Sequence, residues 1–193
     1  MDMKPILIAA LLALLVAGNS LAVIDEDDNV IGLYFDSGAD IDCLEAVAGM
    51  SQVPCYIVLT NPTFSELHGF ELGFDYGSEL LYLGTTLAVS DALNVGEGNN
   101  IIAGFGSPLS TDEATHLATL NMMYTDTGGN PTTLTLHGSD PTSLDSAYPT
   151  VLLADGVLMS TELHDSQMNY QMNGICGFED QVLEWDGVKS LYR

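Results

Sequence analysis

The segment Gly69–Tyr76, reading GFELGFDY, constrains the fold more than any other stretch of the chain. Phe70, Leu72, Phe74 and Tyr76 alternate with Glu71, Gly73 and Asp75. A period of two sends the large apolar side chains to one face of a strand and the small or acidic ones to the other. A strand with one buried and one solvated face belongs to an antiparallel sheet, not to the doubly covered parallel sheet of an α/β protein. Thr132–His137 repeats the pattern, with Leu134 and Leu136 inward.

Seven further short apolar runs are read as strands: Val30–Phe35, Cys55–Thr60, Leu80–Thr86, Asn100–Phe105, His116–Tyr124, Thr150–Ala154 and Val157–Thr161. Between them stand Asn61-Pro62, Gly77-Ser78, Gly96–Asn100, Gly128–Pro131 and Asp155-Gly156, residues that supply positive or fixed φ for turns. Asp155-Gly156 between two apolar runs is the strongest hairpin signal. Nine short strands without long helices between them predict an all-β, nine-stranded antiparallel β-sandwich of the jelly-roll or immunoglobulin-like kind. Short helices are expected at Cys43–Met50 and Thr111–Leu117. The sandwich is placed at 30–163, after an acidic linker at 23–29 and before a polar tail at 164–193.

Residues 1–22 read as a secretory signal peptide. Lys4 supplies the charged start, an apolar run of about 14 residues follows, and Ser20 and Ala22 are the small residues before the cleavage point. That run is shorter than the roughly 20 apolar residues of a spanning helix. The expected location is therefore secreted or at the cell surface, after cleavage.

Charge decides which partners are excluded. The chain has 27 Asp+Glu against 3 Lys+Arg, a formal net charge of -24. The three cations are Lys4, Lys189 and Arg193. A nucleic-acid binder needs Lys and Arg to displace phosphate counterions, and an anionic membrane needs the same. Neither is an expected partner.

An exported chain with three cysteines is expected to form a disulfide. The favoured pair is Cys43–Cys55, which closes a short loop and contributes about 3 kcal/mol. Cys43–Cys176 is the second choice. No cofactor is required on this reading, and calcium is the one metal for which there is a candidate loop. Asp36, Asp40 and Asp42 offer three carboxylates within seven residues, the hard oxygen donors that Ca²⁺ takes. Tyr148, Tyr170 and Trp185 fall outside strong strand patterns and are the candidate ligand-binding aromatics. Trp185, Lys189, Tyr192 and Arg193 form a candidate docking tail, since they bring the mature chain's only cations to an acidic body.

Catalysis has little support. With so many carboxylates, some pair meets the spacing of a glycosidase by chance. Gly104–Pro108, reading GFGSP, is not a nucleophile elbow. His68, His116, His137 and His164 show no zinc-ligand spacing.

The stretch Leu67–Gly84, reading LHGFELGFDYGSELLYLG, resembles the core hairpin of cohesin-like domains. His116–Tyr124 followed by a Gly/Asn turn and TTLTLHG is similar to later strands of that fold, and PTVLLADGVLM to its closing hairpin. The resemblance implies a non-catalytic jelly-roll sandwich. In cellulosome scaffolds such domains bind dockerins; elsewhere the fold serves surface attachment, and related sandwiches bind polysaccharide. The resulting expectation is an extracellular binding or adhesion module for a protein partner or polysaccharide. The first alternative is a self-assembling subunit of an extracellular filament or surface layer. A secreted hydrolase ranks last.

Overall fold

The computed structural model describes residues 27–144, 147–164, 170–174 and 176. Thirteen strands run in chain order: β1 Val30–Tyr34, β2 Cys43–Leu44, β3 Ser51–Thr60, β4 Glu66–Tyr76, β5 Leu80–Leu87, β6 Ala92–Asn94, β7 Asn100–Ser110, β8 Ala114–Tyr124, β9 Thr132–His137, β10 Thr150–Leu153, β11 Leu158–Ser160, β12 Glu162–Leu163 and β13 Tyr170–Met172. Two sheets result. The first has the order β12-β1-β3-β8-β5. The second runs β11-β10-β4-β9-β13-β2, and β7 and β6 extend it from the other edge of β4.

The core lies between the sheets. Leu67, Leu72, Phe74 and Ile101 from the second sheet pack in one buried cluster with Ile31, Leu33, Ile57, Leu59, Leu117 and Leu120 from the first. Each such side chain contributes roughly 1.5–3 kcal/mol on burial. The alternation in β4 is what buries Phe70, Leu72 and Phe74, with Tyr76 half-buried and its ring stacked on Phe74. A smaller cluster of Tyr34, Ala39 and Val58 lies apart from the main core.

All nine strands read from the sequence have counterparts here. The all-β sandwich class holds, with four corrections. First, β2, β6, β12 and β13 are additional. They are two or three residues long, too short to show a period. Second, the sandwich is not wholly antiparallel, because β1 pairs β12 and β2 pairs β13 in parallel. Third, there is no helix among the described residues. Cys43–Leu44 pairs Gln171–Met172 instead. Ala114–Tyr124 is one long strand whose apolar residues Leu120, Met122 and Tyr124 alternate inward. Fourth, the boundary at 163 falls short, because from the stretch read as a tail β13 joins the second sheet and Cys176 bonds to Cys43.

The disulfide is Cys43–Cys176, with Cα atoms 5.5 Å apart, not Cys43–Cys55. Cys55 sits inside β3 with its side chain fully buried in the core, opposite Leu120 on β8. Burial pushes its thiol well above the ordinary range, so it is inert. Pairing β13 beside β2 brings Cys43 and Cys176 together at the sheet edge. The Asp155-Gly156 hairpin forms as expected, with Gly156 at φ 84° between β10 and β11.

Candidate functional site

An apolar groove crosses the outer face of the second sheet, and strand register says which side chains build it. Residues paired across an antiparallel ladder share a face. Phe70 opposes Ala103 and Leu72 opposes Ile101, and all four are buried on the core side. Glu71 opposes Ile102 and Gly69 opposes Gly104, so these four face outward. On β10, Thr150 opposes Glu71 and Leu152 opposes Gly69. Leu158 of β11 then opposes Leu152. On the far side, Leu93 of β6 opposes Gly104, and the Val95 N–H donates to the Ile102 carbonyl.

The result is a trough of about 530 Å³. Its floor is low at Gly104, which has no side chain and open space where one would stand. Its walls are apolar and in water: Leu93 is 66% exposed, Val95 63% and Leu158 40%. A contiguous exposed apolar surface of this kind marks an interaction site on a soluble domain.

Two carboxylates stand at the trough, toward opposite ends along β7: Glu71 across from Ile102 and Asp91 beside Gly106. Glu71 is 6% exposed. Its carboxylate accepts the Ser143 N–H at 2.6 Å, the Ser143 hydroxyl at 2.7 Å and the Thr142 hydroxyl at 3.3 Å. These bonds hold the 142–144 segment against the sheet. Asp91 lines the groove too and accepts the Ser107 hydroxyl at 3.0 Å. No Lys or Arg occurs anywhere among the described residues. The one ion pair found there joins His137 to Asp75 at 3.5 Å, and only when the imidazole is protonated.

The site residues expected from sequence fare unevenly. Tyr170 is a core residue, 4% exposed, so it presents no face to a ligand. Its partner Leu134 on β9 fixes it in the sheet. Tyr148 is 45% exposed but is not one of the residues lining the groove. Trp185, Lys189, Tyr192 and Arg193 lie outside the described residues, as does the signal segment 1–22. In the acidic loop, Asp36 spends its carboxylate on the backbone N–H groups of Gly38, Asp40 and Ile41 at 2.8–2.9 Å. Among the described residues no three His, Cys, Asp or Glu side chains converge on a common point. Ser107 of the GFGSP stretch sits within β7, not on a strand-to-helix turn.

The groove itself was missed in the sequence. Its outward floor is legible, because the period of β4 puts Gly69, Glu71 and Gly73 on the face opposite Phe70 and Leu72. Its walls are not: Leu93 and Val95 lie in a short run before the Gly96–Asn100 turn that carries no period.

Comparison with solved structures now adds the fold. The chain is similar to a type II cohesin domain from the cellulosome of Acetivibrio cellulolyticus, with a TM-score of 0.56 and 9% identity, covering 76% of this chain and 96% of that one. It is similar to the sixth cohesin of scaffoldin B from the same organism, solved in complex with a Cel5 dockerin mutant, with a TM-score of 0.54 and 12% identity over 76% and 99% of the two chains. The second type II cohesin module of the adaptor scaffoldin ScaA gives 0.52 and 12% over 78% and 99%. The fold is cohesin-like. No family model matches the chain, and no curated protein matches its sequence. The cohesin-like reading therefore rests on shape: near-complete coverage of the cohesin modules with almost no shared sequence. Among the described residues no helix is long and apolar enough to cross a membrane.

Proposed function

We propose that this chain is a non-catalytic, extracellular protein-binding module that receives its partner in the apolar groove of the second sheet. The observation that carries the reading is the exposure of Leu93, Val95 and Leu158 around a glycine-floored trough. Burying such side chains against a partner contributes about 25 cal/mol per Å² of apolar surface before the costs of association. A cohesin of the same fold has been solved with a dockerin bound, which supports a protein as the partner class. The signal-peptide pattern at 1–22 supports an extracellular setting. A polysaccharide partner has less support, since of the three candidate aromatics Tyr170 is buried and Tyr148 does not line the groove.

A second reading, self-assembly, is favoured by β5. This strand lies at the edge of the first sheet, and its sequence LLYLGTTL has no charge. Leu81 and Leu83 are 50% and 45% exposed on it. Edge strands that avoid mutual pairing usually carry a charge or a proline.

One experiment separates the two. Leu93 and, in a separate variant, Leu81 are replaced by the photo-crosslinking residue p-benzoylphenylalanine in a secreting host, and adducts are identified by mass spectrometry. A covalent adduct at 93 with a second, different protein supports the module. Adducts at 81 with the chain itself support self-assembly through β5. The absence of any adduct at 93 refutes the groove as a docking site.

A further inference from the structure

We infer that the partner segment seated in the groove is a peptide in which a Lys or Arg is flanked by apolar residues, the cation lying toward Glu71. This deepens the docking reading above and rests on it. The walls already dictate the apolar part: Leu93 and Val95 on one side and Leu158 on the other offer nothing polar to a ligand. The carboxylates dictate the rest. Glu71 is nine-tenths buried and anchored by Ser143 and Thr142, so its charge is fixed in place and held by neutral donors only. Asp91 adds a second charge to the lining at the opposite end, beside Gly106. A carboxylate in a partly desolvated trough attracts a cation more strongly than one in open water, and leaves a partner's carboxylate without compensation.

The domain around the groove sharpens the point. No Lys or Arg lies among the described residues to neutralise either carboxylate. The field of the whole chain has one sign and steers a cationic segment toward the groove. An acidic or purely apolar segment gains the same wall contacts but not this attraction.

The test uses the full chain. Random twelve-residue peptides on phage are selected for binding and kept only when they fail to bind the Gly104→Leu variant. A Cβ at position 104 meets no atom within 4 Å, so leucine there fills the trough without a clash. An unchanged melting temperature confirms that this variant is folded. The kept peptides are expected to share a Lys or Arg between apolar residues. Their affinity, read by fluorescence anisotropy, falls tenfold or more when that cation becomes norleucine, and likewise in Glu71→Gln. Groove-dependent peptides that lack Lys and Arg, or that bind Glu71→Gln unchanged, overturn the inference and leave the docking reading intact. If no peptide distinguishes wild type from Gly104→Leu, the docking reading itself fails. If Lys189→Glu with Arg193→Glu raises peptide affinity tenfold, the chain's own segment 177–193 is the occupant and the inference of a separate partner is wrong.

Discussion

Reduction of the Cys43–Cys176 bond should cost this domain about 5 kcal/mol. The two cysteines are 133 residues apart in sequence. In the chain-entropy account, the stabilisation of a cross-link rises with the logarithm of the loop it closes. A loop of this length gives about 5 kcal/mol at 25 °C, against about 3 kcal/mol for the twelve-residue span to Cys55. The position of the bond adds a structural reason. It joins β2 to the end of β13, and each of these strands is only two or three residues long. Neither has enough ladder hydrogen bonds to hold the sheet edge alone. For a chain of this size each kcal/mol moves the melting temperature by about 2–4 °C, so the expected fall is about 10–20 °C. Calorimetry of the oxidised chain, the reduced chain and Cys43→Ala/Cys176→Ala measures it, and non-reducing peptide mapping identifies the bond. A map joining Cys43 to Cys55 would refute the assignment. A melting temperature that moves by less than about 3 °C on reduction would refute the energetic argument.

Three further outcomes follow from the same geometry. Gly69→Ala should destabilise by about 1–3 kcal/mol, because its Cβ would meet the Ala103 carbonyl oxygen at 2.3 Å. Gly104→Ala, across the ladder, should be neutral or stabilise by up to about 1 kcal/mol, since that position is open. Urea unfolding of both variants checks the contrast, and equal effects would contradict the register. His116, half-buried with its ring against Tyr56, is held below the ordinary imidazole value chiefly by burial, partly offset by a backbone hydrogen bond at Ala118. The folded state therefore favours the neutral ring. Its contribution is present above about pH 6.5 and is lost as pH falls from there through the lowered value. An NMR titration midpoint for His116 above 6.5 would reverse that sign. Raising NaCl from 10 mM to 1 M shortens the Debye length from about 30 to 3 Å. With a net charge of -24 this should raise the melting temperature, and a fall would show that self-repulsion is not the dominant electrostatic effect.

The strands of the core were readable because burial of one face imposes a period, and β4 and β9 show that period without interruption. The short strands were not readable. Cys43–Leu44 looks helical as part of CLEAVAGM, and it becomes a strand only because Gln171–Met172 arrives beside it from far along the chain. Thr111–Leu117 was misread for a related reason: the strand continuing from Ala114 takes its register from β3, including a bulge near Ile57, which no local pattern encodes. Exposure was equally hard to judge. Tyr170 stands in a polar stretch and is nonetheless core, because β9 lies next to it.

Local sequence pattern is enough for the all-β sandwich class and for the sign of the field. Period-two alternation and turn residues act over a few positions, and a chain without Lys or Arg between 5 and 188 is an anion however it folds. Tertiary structure alone decided which cysteines meet and where an apolar surface remains in water. Both depend on strand neighbours that are remote in sequence: β13 beside β2 for the disulfide, and β6, β7, β4, β10 and β11 side by side for the groove. Whether Leu93 or Leu158 is buried is a question about what lies across the sheet from it, and only the order of the strands answers that.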